Sequence, residues 1–418
     1  MRRRVAITGL GAVTPLGNRV KDTWRGLCEG KSGVGPISIF DASTFPTRIA
    51  GEVKGFDFTG RGELARSSHF ALEAALEAFR DAGSPAVKDP SRCGIYFGAG
   101  DSGFDFKQYA EVMLGSVNGD SAVDGSKYLT SAKSRIRPDI AREQEIHQVL
   151  NHLSRLFDAA GPVSNCLTAC AASSQAIGEA AQIIRRGDAE VMISGGSHSM
   201  IHPLGLAGFN LLTALSTRNE SPGLASRPFD ADRDGFVLAE GAAVLILEDW
   251  EHAAKRGARV YAEVTGYGAT ADAFRLTDPH PEGRGAVQAM RRALQDAGLD
   301  PRAIGYINAH GTSTQTNDQI ETHAVKQVFG AQARQIPMSS NKSMLGHMIA
   351  AAGATELIAS VLTIRDGVLP PTINYRHPDP ACDLDYVPNE ARKKKVKHVL
   401  SNSFGFGGQN ISLIVSKC

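Results

Sequence analysis

The 418-residue sequence lacks several features that would have set its class at once. Its six cysteines, at 28, 93, 166, 170, 382 and 418, show no paired metal-cage spacing, so they are expected to be reduced thiols of a cytoplasmic protein, without disulfides. No run is long and apolar enough to span a bilayer. Excess charge of either sign is also missing. A net charge of +1 gives no general attraction to nucleic acid or to an anionic membrane, and any electrostatic partner must meet a local patch. The opening MRRRVAITGLGAVTPLG sets a basic triplet before an apolar stretch, but Gly9, Gly11 and Pro15 break that stretch too early for a signal-peptide core. Val5 to Thr8 are expected to form a buried first strand followed by a glycine turn. GLGAVT lacks the third glycine of a dinucleotide fingerprint, which removes a plain dinucleotide-binding module. What is present, 42% hydrophobic and 21% charged residues, is globular material sufficient for two cores or one large duplicated one.

A repeat favours duplication. AALEAFRDAG at 74–83 and AMRRALQDAG at 289–298 both have helical apolar spacing, through Leu72, Leu76 and Phe79 and through Val287, Met290, Leu294 and Ala297. Each ends at a glycine and is followed by a buried strand, GIYFGAG at 94–100 and GYINAHG at 305–311. ASSQAIGEAAQIIRRGDAEVMISGG and AAGATELIASVLTIRDGV form a second pair, small-residue helices able to pack closely at the centre. Two α/β halves are expected, residues 1–257 and 258–418. The polar, then highly charged, segment 101–160 reads as an insertion in the first half, carrying its own helix and serving as lid, interface or substrate wall.

Chemistry concentrates at a few loops. Cys170 lies where NCLTACAASSQAIGEAAQII enters a helix, and amide N–H groups and the helix dipole at that place favour a thiolate nucleophile; the alternative is a small core cysteine. Cys166, in the apolar lead-in, is expected in the core. His310 opens HGTSTQTND at the C-terminal end of a strand, where open α/β sheets present functional groups. His347, in NKSMLGHMIAAAGATE, precedes the second small-residue helix. The glycines of NSFGFGGQN, 402–410, allow backbone N–H groups to face a ligand, as an oxyanion hole requires, or else make a flexible hairpin.

LTAC, AHGTST, NKSMLGH and NSFGFGG, in this order and over nearly the whole chain, resemble the elongating β-ketoacyl-acyl carrier protein synthases, most closely the synthase II class. The resemblance implies a thiolase-like fold: two duplicated mixed-sheet α/β halves in a layered α-β-α-β-α arrangement. It implies a decarboxylative Claisen condensation in which Cys170 carries the acyl chain and the backbone N–H groups of Cys170 and Phe406 hold the oxyanion. His310 and His347 would stabilise the enolate formed from malonyl-carrier protein. Lys342 matches the lysine that biases the local field, and Glu356 the glutamate that supports it. Thr277, Thr312 and Thr314 match contacts to the pantetheine arm, and Phe406 matches the acyl gate, flanked by Phe404, Gly405 and Gly407. No metal and no cofactor beyond the carrier's phosphopantetheine is implied. The implied partners are acyl carrier protein and a second identical chain, with no nucleic acid and no membrane.

Some positions depart from the pattern. Asp278 stands where a small hydroxyl residue is common, and Thr213 where arginine is. Only Arg61 and Arg66 remain of one basic patch for the acidic carrier; Lys127, Lys133, Arg135, Arg137 and Arg142 of the insertion are candidates to replace it, the alternative reading being a solvated charged helix. A degradative thiolase would need a cysteine in the terminal glycine loop, where Phe406 stands, and an initiating synthase an asparagine at His347. A polyketide-type ketosynthase paired with a different subunit is compatible with TNDQIET and with the insertion. A non-catalytic chain-length partner is disfavoured by Cys170.

Overall fold

The computed structural model describes residues 2–60, 62–100 and 106–418; Arg61 and Asp101, where the expected insertion begins, lie outside them. The first half supplies strands β1 (Val5–Val13), β2 (Cys93–Ala99), β3 (Val163–Cys166), β4 (Val191–His198) and β5 (Gly241–Asp249). The second supplies β6 (Ala262–Ala271), β7 (Tyr306–Asn308), β8 (Met338–Ser339), β9 (His398–Phe404) and β10 (Gln409–Ser416). All ten line up as β3-β2-β4-β5-β1-β6-β10-β9-β7-β8. From its outer edge inward, each half therefore has its third, second, fourth, fifth and first strand. The sense of pairing repeats as well. The first three in that order are parallel and the rest antiparallel, and the halves join antiparallel at β1 and β6 through Ala6 opposite Glu263.

The helices that matter for the site are α1 (Arg66–Asp81), α2 (Phe106–Leu114), α3 (Gly125–Arg135), α4 (Pro138–Glu143), α5 (Gln148–Phe157), α6 (Ala172–Arg186), α7 (Arg284–Ala297), α8 (Gln315–Phe329) and α9 (Ala352–Asp366). Helices α1 and α5 cover the first half, α7 and α8 the second, and α6 packs on α9 between them, which gives the α-β-α-β-α layering. Small residues make this central contact possible: a Cβ on Gly353 would sit 2.0 Å from Ser174 Oγ, and the Ala354 N–H donates to Ser173 Oγ at 2.9 Å. Helix α9 is buried on every side from Ala352 through Ile364, as a central helix must be.

Two expectations change. Strand β1 continues through Gly9 and Gly11, with a shift of register between Ile7 and Gly9 and without the glycine turn. The glycines instead admit α1: a Cβ on Gly9 would lie 2.1 Å from the Ala78 carbonyl oxygen, and one on Gly11 1.9 Å from that of Ala74. Gly266 and Gly268 of β6 do the same for α7, with hypothetical Cβ distances of 2.3 Å to the Ala293 oxygen and 2.0 Å to the Ala289 oxygen. The charged segment holds more than one helix. Of its four, α5 lies between the second and third strands of its half, as α8 does in the other, and α2, α3 and α4 have no counterpart. No helix among the described residues is long and apolar enough to cross a membrane, and all six cysteines are free.

Candidate active site

After β3 the chain tightens into a 3₁₀ turn, Ala169–Ala171, and continues as α6. Ala169 has φ 45°, the left-handed region that costs a residue with a side chain about 1–3 kcal/mol and that recurs at functional sites. The second half repeats the device: Ile349 has φ 42° and opens the turn Ile349–Ala351 before α9, so Ala350 stands where Cys170 stands. The terminal glycine loop closes over this turn, with a hypothetical Cβ on Gly405 only 2.7 Å from the Thr168 carbonyl oxygen. The backbone N–H groups of Phe406 and of Cys170 itself favour the thiolate form of the sulfur. Burial nevertheless pushes the thiol up to about 11, against those N–H groups and the Lys342 charge. The easy ionisation expected at a helix start is therefore not a property of the resting site. A helix dipole contributes at most about 2 kcal/mol, and removal of a thiolate from water outweighs it here. Cys166 is in the core as expected, its Sγ donating to the Ala172 carbonyl oxygen at 3.0 Å.

Both imidazoles have an assigned proton. His347 Nδ1 accepts the Ile349 N–H at 3.2 Å, which leaves the hydrogen on Nε2, an atom with no partner. His310 Nδ1 lies 3.3 Å from Lys342 Nζ, which also donates to the His310 carbonyl oxygen at 2.7 Å. An ammonium has hydrogens only to donate, so His310 also carries its hydrogen on Nε2. Burial and the Lys342 charge hold both rings well below the usual histidine range, hence neutral at pH 7. The rings stand 82° apart with centroids at 5.5 Å, and one nitrogen of each lies within 4.8 Å of the other and of Cys170 Sγ.

Behind them Lys342 forms a fully buried ion pair with Glu356, whose carboxyl burial pushes up to about 7. A second buried carboxylate was not legible from the sequence. Glu321 of α8 accepts the His310 N–H at 2.9 Å, the Gly311 N–H at 2.8 Å and Asn402 Nδ2 at 3.1 Å. One turn earlier, Asp318 accepts the Phe229 N–H at 2.8 Å and faces the buried Arg233 at 3.5 Å, and Arg233 donates to the Thr314 and Gln315 carbonyl oxygens. The signal available was the spacing of Asp318 and Glu321 in TNDQIET, two acids on one helix face toward the HGTST loop.

A cavity of about 410 Å³ connects Cys170, His310 and His347 with the surface. Thr312 and Thr314, with hydroxyl oxygens 2.9 Å apart, and Thr277, Phe404, Gly405 and Phe406 line it as well, as do Asp278 and Thr213. Gly407 does not. It is exposed, and its N–H donates to the Leu276 carbonyl oxygen at 2.6 Å, tying the glycine loop to the mouth. Arg66 is not a free cation for a carrier protein: it makes a two-pronged contact with the buried Glu240 at 2.6 and 2.7 Å. In the insertion, Arg135 faces Glu111 at 3.6 Å and Arg137 faces Glu63 and Asp139 at 2.5 Å, so the charges of these two candidates for docking the carrier are offset. Lys127 donates to Asn118, and Lys133 and Arg142 are exposed on the same helices.

Comparison with known proteins shows the family. Residues 2–253 match the family described as beta-ketoacyl synthase, N-terminal domain, and residues 261–376 match beta-ketoacyl synthase, C-terminal domain. The chain is 45% identical over 423 aligned residues to the 3-oxoacyl-[acyl-carrier-protein] synthase 2 of Coxiella burnetii, covering 100% of this chain and 99% of the relative. It is 44% identical to the enzyme of that name from Synechocystis, covering 100% and 98%. Among solved structures it resembles a type II PKS ketosynthase in complex with its acyl-carrier protein (TM-score 0.90, 36% identity, all of both chains). A beta-ketoacyl synthase from Burkholderia phymatum is similar to the same degree (TM-score 0.89, 35% identity, all of both chains).

Proposed function

The chain belongs to the beta-ketoacyl synthase family, and on that premise we propose how its residues divide the reaction. It is an acyltransferase of the 3-oxoacyl-[acyl-carrier-protein] synthase 2 class, a condensing enzyme of fatty acid elongation. The Cys170 sulfur attacks the thioester carbonyl of an acyl chain on acyl carrier protein. The N–H groups of Cys170 and Phe406 hold the tetrahedral oxyanion, and the pantetheine thiol departs with the proton that Cys170 gives up. Malonyl-carrier protein follows along the same cavity, its arm held by Thr312, Thr314 and Thr277. The bond from its Cα to the carboxylate breaks, CO₂ leaves, and the electron pair forms an enolate whose oxygen accepts from His310 Nε2 and His347 Nε2. Cα then attacks the acyl carbonyl on Cys170, and the sulfur leaves.

The observation that supports this division is the pair of neutral imidazoles whose Nδ1 atoms are already occupied, so both Nε2–H groups are free to donate. Replacement of either histidine by alanine is expected to cut CO₂ release from malonyl-carrier protein about 10²–10³-fold, as for loss of one oxyanion donor, while Cys170 is still acylated. Normal decarboxylation in both variants would falsify the assignment. Lys342 and Glu356 are positioning residues in this scheme. The acyl-carrier partner is supported by the similar ketosynthase solved with its own carrier. Assembly of two identical chains in the cytoplasm, and a division into halves 1–257 and 258–418, complete the reading. A polyketide-type role beside a different subunit is the second reading, favoured by the likeness to a ketosynthase/chain length factor at TM-score 0.88 and 33% identity.

A further inference from the structure

Cys170 belongs to an apolar cluster with Ile201, Leu206, Leu215, Phe236 and Ile349, against which Phe406 packs. An acyl chain on the sulfur has these side chains for surroundings once Phe406 moves aside. Ile201, 3% exposed, belongs to that cluster and is also a wall of a second cavity of about 470 Å³ beneath α4. The size is that of a ligand site, about 300–1,000 Å³, and its walls mix apolar Leu64, Ala65 and Ile140 with charged Glu63, Arg66 and Glu143. An alkyl tail gains contact with the apolar side of that wall, and a tail that ends in a hydroxyl also finds hydrogen-bond partners on the charged side.

We propose that Ile201 is the residue that sets acyl chain length, standing as the stop between the apolar pocket of Cys170 and the mixed apolar and charged cavity beneath α4. The proposal rests on the acyl-enzyme reading above. Trimming the stop joins the two spaces and admits longer chains, with chains bearing a terminal hydroxyl gaining most, since the far walls offer hydrogen-bond partners. Ala65, buried at the start of α1, also lines the far cavity and gives a way to fill it.

The test measures kcat/KM for acylation of Cys170 by a series of acyl-carrier thioesters of increasing length, saturated and ω-hydroxylated. Ile201→Ala should raise the value for the first chain that the native enzyme rejects by about tenfold or more relative to its value for short chains, the size expected for methylene discrimination. Ala65→Leu alone should leave the cut-off in place, and in the double variant it should restore the native cut-off. An unchanged cut-off in Ile201→Ala, or a double variant that still takes the longer chains, overturns the proposal. If short chains fail to acylate Cys170 in the native enzyme, the acyl-enzyme reading falls first and the proposal falls with it.

Discussion

At the residue scale, burial governs the chemistry more than the helix dipole does. A thiol raised to about 11 is almost entirely protonated at pH 7, and the thiolate is the reactive form. Alkylation of Cys170 by iodoacetamide should therefore climb about tenfold per pH unit between roughly pH 7 and 10; a plateau by pH 8 would mean that the Phe406 and Cys170 N–H groups win over desolvation. The buried Lys342–Glu356 pair gives a second pH signature. Glu356 has its folded pKa raised from 4.5 to about 7, so its contribution to stability is complete below 4.5 and is lost as pH rises through about 7. Lys342→Ala leaves that carboxyl without its cation, and loss of one partner of a buried pair costs about 3–5 kcal/mol. Calorimetry should find the loss of stability larger at pH 8, where Glu356 is ionised, than at pH 5, where it takes up a proton. An equal loss at both would show that the lysine matters for packing alone.

At the element scale, the same glycine device is used twice, and it shows where sequence reading stops. ITGLGA at 7–12 and VTGYGA at 264–269 are the same strand segment, one per half. Taken locally, Gly9 and Gly11 look like a turn, because what they make room for, the Ala74 and Ala78 carbonyls of α1, is more than sixty residues away. The helix and strand repeat was legible because its apolar spacing is local, and Cys170, His310 and His347 because each sits at the end of an element beside small residues. Glu321, Asp318 and Arg233 were not, since they act on backbone N–H and carbonyl groups of loops that approach only in the folded chain. Gly407 was misread for a related reason: a run of glycines does not say which N–H groups point inward. Gly11→Ala and Gly268→Ala should each lower stability by at least about 1–3 kcal/mol, since each new Cβ meets a backbone oxygen that cannot swing away. Gly208→Ala, which meets nothing within 4 Å in a helix, is the control and should be neutral or stabilising by up to about 1 kcal/mol. Equal melting temperatures for the three variants would remove the close-packing account.

At the scale of the whole molecule, the two ends of the ten-stranded sheet are not alike. Strand β8 is two residues long and both are buried. Strand β3 is four residues long, with Val163 40% exposed and Leu167 just beyond it 52% exposed. An open edge with apolar side chains is a template for another strand, and a second copy meeting it across a two-fold axis would pair β3 with β3, residue for residue. The unmatched helices add Leu114 at 77% exposed and Leu129 at 59%, apolar surface that a partner would cover. Sedimentation of the purified chain should give twice the mass of one chain, and Val163→Asp, which puts a charge at the exposed apolar start of β3, should shift the equilibrium to monomer. Cys170 follows the last residue of β3, Cys166, by four positions, so a freed edge should loosen the turn that carries it and slow acylation together with dissociation. A monomeric variant with full acylation would show that one chain builds the site alone. A native chain that is monomeric and inactive until a different subunit is supplied would favour the paired ketosynthase reading over the homodimer.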